Sequence, residues 1–88
     1  MKTIYKYKLK ELTTQTITMP KGYEILSVQV QHGVICLWAI VTESNEPEDV
    51  TINVHGTGHP VTSNNLTYIS TIQMLDGDLI LFVFKEDK

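Results

Sequence analysis

The chain has 88 residues, 42% of them apolar and 19% charged, with a formal net charge of −3 and one cysteine. That length supports a single domain over residues 1–88, because dividing it would leave neither half a core. The acidic balance argues against DNA or RNA as a partner, one cysteine excludes a disulfide framework, and no apolar run reaches the ~18 residues of a spanning helix.

No leader-like apolar segment opens the sequence, so a cytoplasmic, membrane-free setting is the expectation. Cys36 lies inside an apolar run and reads as a packing residue of a reduced protein.

Apolar residues do not recur at helical spacing, whereas alternation and short β-branched runs do, so the chain reads as strands. The first, Thr3 to Leu9, puts Tyr5, Tyr7 and Leu9 on one face and Lys6, Lys8 and Lys10 on the other. Such a lysine row blunts an edge strand against aggregation, and it can also draw in an anion. The second strand, Gln15 to Met19, ends at the Pro20-Lys21-Gly22 turn.

From Tyr23 to Gln31 the alternation assigns Leu26, Val28 and Val30 to a core, and Ser27, Gln29 and Gln31 to a solvated face or a polar pocket. His32-Gly33 suits a two-residue hairpin with both residues at positive φ. Val34 to Val41 then carries apolar side chains on both faces, including Cys36 and Trp38.

Glu43 to Asp49 offers little to bury and reads as a mobile acidic connector. Val50 to His55 is the fifth strand. Leu66 to Leu75 and Leu79 to Phe84 are the last two, joined by Asp76-Gly77 as a type I′ turn. Leu79 to Phe84 is again apolar on both faces.

Strands with short connections in so small a chain predict an all-β fold, a small antiparallel sandwich or partly closed barrel of about six to seven strands in meander order. Strands without a solvent-compatible face need covering, and with no helix available a second copy of the chain is the economical cover. Burying Trp38 is worth on the order of 4 to 6 kcal/mol. A homo-oligomer is therefore expected.

The chemistry-bearing segment is His55-Gly56-Thr57-Gly58-His59-Pro60. Its glycines permit positive φ or a close backbone approach, as in a bulge, a tight corner or an anion-cradling loop. Its imidazoles can donate, accept or titrate near neutrality. Two histidines at i and i+4 are too few ligands for a stable zinc site, and no nucleophile or orienting carboxylate is identifiable beside them, so no metal, cofactor or catalytic residue is assigned.

The segments Ile25 to Gln31, Gly33 to Ala39, Gly56-Thr57-Gly58-His59-Pro60 and Tyr68 to Gln73 resemble a family of short, uncharacterised phage and prophage proteins. Small oligomeric phage proteins of this build are similar to the viral sponges that sequester nucleotide immune signals, such as the cyclic ADP-ribose isomers of Thoeris defence. The resemblance implies a non-enzymatic, nucleotide-binding homo-oligomer in the host cytoplasm. In that reading His55, Gly56, Thr57, Gly58 and His59 hold phosphate or ribose and Trp38 or Tyr68 stacks on a base, Tyr5 and Tyr7 being aromatic alternatives. The competing expectations are a protein-interaction or structural accessory and a small nucleotide hydrolase built on the two histidines.

Overall fold

Alternation resolves into seven strands: β1 (Lys2–Leu9), β2 (Thr14–Pro20), β3 (Glu24–Gln31), β4 (Val34–Thr42), β5 (Pro47–Gly56), β6 (Leu66–Met74) and β7 (Leu79–Glu86). They come from a computed structural model that describes residues 1–11 and 13–87. Two antiparallel sheets, ordered β1-β4-β3 and β2-β5-β7-β6, pack face to face without closing into a barrel. The protein is an all-β sandwich.

The strand order differs from a meander, because β1 pairs with β4 and β2 with β5. The cause lies in the strands that are apolar on both faces. β4 is flanked by β1 and β3, and β7 by β5 and β6, so each two-faced strand occupies the interior of its sheet. Polar or lysine-rich strands are left as edges, where unpaired backbone meets water.

Inward side chains of both sheets make one core, in which Met19, Val28, Leu37, Ala39, Ile52 and Val83 are fully buried. Each large one contributes about 1.5–3 kcal/mol relative to exposure. The outward side of β4 is covered incompletely. There Cys36 is buried and Trp38 half-buried, while Val34 is exposed. Lys6 Nζ donates to Gln31 Oε1 at 2.8 Å, a bond that spans β4 and helps cover Cys36.

Three local expectations are corrected. Leu26 is not a core residue: β3 shifts register between Ile25 and Ser27, which leaves Leu26 at 44% exposure and gives its inward place to Ile25. The acidic connector is shorter than expected, since β5 starts at Pro47, Thr18 donates to Asp49 at 3.0 Å, and Asn45 Nδ2 donates to the Lys21 carbonyl at 2.8 Å. The last hairpin is wider than a two-residue turn. Leu75, Asp76 and Gly77 take φ of 53°, 54° and 92° in a 3₁₀ turn between Met74 and Leu79, which face each other as its closing pair. His32-Gly33 does form the expected tight hairpin, with φ of 52° and 76°.

Candidate functional site

The free edge of β3 and the free edge of β6 run along the same side of the sandwich, one from each sheet. Both carry a bulge. β3 is irregular between Ile25 and Ser27 and β6 between Tyr68 and Ser70, so Leu26 and Ile69 are the extra residues. A bulge bends its strand and re-aims the inserted side chain. Here both inserted side chains line one cleft of about 350 Å³, together with Tyr23, Ile25, Thr67, Tyr68 and Lys85.

Lys85 supplies the positive charge of this cleft. It continues the inward row Leu81 and Val83 of β7, but at the open end of the sandwich, where its ammonium can reach water. The Nζ lies 5.9 Å from the centre of the Tyr23 ring and 3.3 Å from Asp87 Oδ1. Partial burial pushes the Lys85 pKa down, but Tyr23 and Asp87 outweigh it and the net shift is upward. Asp87 is held below the usual carboxylate value, first by the Thr67 hydroxyl, which donates at 2.6 Å; desolvation opposes this, and Lys85 adds to the lowering.

Tyr68 forms the outer lip, 57% exposed, with its hydroxyl paired to that of Thr71. Its ring meets Phe84 edge-on at 5.9 Å, and Phe84 meets His55 at the same distance on its other side. An aromatic row therefore links the lip to β5.

Beyond the bulges the two edges are stitched by Ser70 Oγ, which donates to the Val28 carbonyl at 3.0 Å. A second cleft of about 370 Å³ follows, lined by Val28, Gln29, Val30, Ser70, Thr71, Ile72 and Gln73. No charged side chain lines it.

The glycine-histidine corner lies elsewhere. His55 closes β5 on the outer face of the four-stranded sheet, paired with Phe82, and is 7% exposed with Nδ1 buried and unpartnered. Gly56 donates its N–H to His59 Nδ1 at 3.1 Å, and His59 donates its own N–H to the Gly56 carbonyl at 3.2 Å. The corner thus spends two of its amides on itself. A Cβ at Gly56 would sit 3.2 Å from the His59 ring, so this glycine is there for close approach. Thr57, Gly58 and His59 are exposed and line neither cleft.

Trp38 faces outward from the other sheet between Lys6 and Ser27. Of the residues singled out in the sequence, the structure brings Tyr68 and His55 together through Phe84, and leaves Trp38 and the Gly56–His59 turn apart from them. Sequence reasoning missed Tyr23, Leu26, Thr67, Ile69 and Lys85. One signal was available for Lys85: extending the alternation of β7 by one step places it inward. The bulges have no such signature.

A family model, described as a domain of unknown function, DUF7352, matches residues 1–88. The chain belongs to the DUF7352 family. No curated protein and no solved structure matches it. As a DUF7352 member it contains no helix, among the described residues, long and apolar enough to cross a membrane.

Proposed function

We propose that this protein binds a small, planar, anionic ligand of the nucleotide class without turning it over, in the cleft between β3 and β6. The supporting observation is that two bulges on facing edges converge on a cleft that carries Tyr23, Tyr68 and Lys85. Tyr23 offers a ring for a base, Lys85 a counter-charge for phosphate, and Leu26 and Ile69 an apolar floor, with Tyr68 at the lip. At about 350 Å³ the cleft lies in the range of small-molecule sites. Binding without chemistry is favoured because, among the described residues, neither His55 nor His59 hydrogen-bonds a carboxylate or hydroxyl that would orient it.

The resemblance to short phage and prophage proteins gives this reading its biological form: a sponge that withdraws a nucleotide immune signal in the host cytoplasm. Calorimetry with nucleoside mono- and diphosphates, cyclic dinucleotides and ADP-ribose isomers, followed by chromatography of the ligand recovered after heating, tests it. Saturable heat with unchanged ligand supports capture. Silence across the panel, or recovery of cleaved products, overturns it.

A second reading concerns the outer face of β1-β4-β3, where Ile4 is 59% and Val34 38% exposed beside the half-buried Trp38. We propose this face as the seam of a homo-oligomer, since an apolar central strand with such neighbours gains most from a second copy. Docking on a different protein through the same face is the alternative that a mass measurement separates.

A further inference from the structure

Two open sheets leave four strand edges, and they differ in how ready they are to take another strand. β3 and β6 are bulged and stitched to each other, and β2 carries no charge and ends on Pro20. β1 pairs with β4 over eight residues without a shift in register, and its other side is free.

The β3–β4 hairpin fixes which backbone groups of that edge are open. Its two-residue loop, His32-Gly33, has φ of 52° and 76°, so Gln31 and Val34 form a narrow, doubly bonded pair and the even residues of β4 turn their N–H and C=O toward β3. The odd ones turn toward β1, where Ile35, Leu37, Ala39 and Val41 meet Leu9, Tyr7, Tyr5 and Thr3. Lys2, Ile4, Lys6 and Lys8 therefore aim their amides and carbonyls away from the sheet. Lys10, next in that series, shows the parity directly. Its N–H donates to Gln15 Oε1 at 2.8 Å and its carbonyl accepts from Gln15 Nε2 at 2.7 Å, the reciprocal pair that a residue of an added strand would make.

The side chains of Lys2, Ile4, Lys6 and Lys8 lie on the outer face and are exposed, and no carboxylate shares the strand. We propose that β1 is a docking edge for an acidic extended segment of another protein, which adds to the three-stranded sheet with a carboxylate opposite Lys2, Lys6 and Lys8. The edge lies across the sheet from the β3–β6 cleft, so its occupant is independent of a nucleotide there.

Charge selects the occupant. Cross-strand side chains on one face lie about 4.5–5.5 Å apart, where opposite charges attract and like charges destabilise. A second copy pairing antiparallel through β1 would set lysine against lysine, so the row that refuses a copy of itself accepts an acidic strand. Lys6 Nζ gives only one of its three donors to Gln31. On the other face of β1 the Tyr5 and Tyr7 rings lie 6.4 Å apart, with Tyr5 37% exposed, and meet the alternate, apolar side chains of the added strand. The open stretch from Lys2 to Lys8 spans about 20 Å at 3.4 Å per residue.

The test is calorimetry of the full chain with an acetylated, amidated heptapeptide of alternating glutamate and valine that begins and ends on glutamate. It should bind saturably, with at least a tenfold loss of affinity in a Lys2→Glu, Lys8→Glu double variant. Both lysines are exposed and Lys6 keeps its bond to Gln31, so the variant should fold, which an unchanged far-ultraviolet circular dichroism spectrum verifies. N-methylation of the glutamates, whose N–H groups face β1 in this register, should abolish binding, whereas N-methylation of the valines, whose N–H groups face away, should spare it. The amides of Ile4 and Lys6 should gain protection from hydrogen exchange in the complex. A peptide that binds equally well with N-methylated glutamates is held by charge alone and overturns strand addition. Absence of saturable binding, equal affinity in the double variant, or binding of single-stranded oligothymidylate in the peptide's stead overturns it as well.

Discussion

Ser70 Oγ and the Val28 carbonyl meet at 3.0 Å across 42 residues of sequence, tying the free edge of one sheet to the free edge of the other. In Ser70→Ala the carbonyl of a buried residue loses its partner at the mouth of the groove. A typical hydrogen bond contributes about 0.5–1.5 kcal/mol, and a buried acceptor left bare costs more than the bond gains. Urea denaturation should show a loss of about 1–2 kcal/mol with an unchanged m-value. An unaltered midpoint would mean that the two edges hold together without this stitch.

Leu26 separates function from stability. Its side chain is 44% exposed in the β3 bulge, yet lines the cleft, so Leu26→Asp removes little core packing and puts an anion beside Lys85. Stability should fall by no more than about 0.5 kcal/mol, as for other surface changes, while nucleotide affinity falls at least tenfold. Calorimetry and a thermal melt on the same sample read both. Equal nucleotide affinity in the variant would move the ligand out of this cleft.

The groove exposes the limits of what alternation can reveal. Binary patterning made the strands legible and placed both two-faced strands, because a period-2 row of Val, Ile and Leu has few other uses. It misplaced Leu26 for the same reason: one inserted residue flips the parity of everything before it, and a bulge leaves no mark in composition. The sequence drew attention to Gly56 and His59, and the structure shows the two closing a turn on each other. A glycine beside a histidine marks backbone that needs space for a ring, and here the ring is its own neighbour's. Lys85, which lies in the cleft, sits in a strand that reads as pure core up to Phe84. Its role depends on where the sandwich ends, a tertiary fact that local spacing does not encode.

Two exposed carboxylates with lowered pKa values contribute to the acid limb of stability. Glu43 is held below its usual value by Tyr5 first and then by Thr3, whose hydroxyl donates to it at 2.8 Å; Asp87 is lowered by Thr67 and Lys85. A carboxylate whose pKa is depressed by folding stabilises the native state above the unfolded pKa, near pH 4, and that contribution vanishes as pH falls through the folded value. Lys85, Tyr5 and Tyr7 are shifted upward, so their contributions hold below about pH 10 and are lost as pH rises through the folded values. The melting temperature should therefore be flat between about pH 5 and pH 9 with respect to these groups, and fall on both sides. Glu43→Gln with Asp87→Asn should flatten the acid side and, because Glu43 raises Tyr5 and Asp87 raises Lys85, soften the alkaline side as well. An acid limb of unchanged slope in that double variant would assign acid unfolding to other carboxylates.

Trp38 is the residue on which to test the proposed homo-oligomer. Its half-buried indole sits between Lys6 and Ser27 on a face that also exposes Ile4 and Val34. A second copy seated there would bury the exposed remainder of the indole, at most about a third of the ~150–250 Å² that a tryptophan offers, worth roughly 1–2 kcal/mol per protomer at ~25 cal/mol per Å². Replacing the indole with a charged side chain would remove that gain and add a desolvation cost at the seam. Light scattering at micromolar concentration should give a multiple of the chain mass for the natural protein and the mass of one chain for Trp38→Lys, with the thermal melt of the variant dependent on its own monomer only. If Trp38→Lys keeps the natural protein's mass above one chain, the seam lies on another face. If the natural protein is already monomeric, the outward side of β4 is stable in water without a cover, and ligand binding must then be complete within the single β3–β6 groove of one chain.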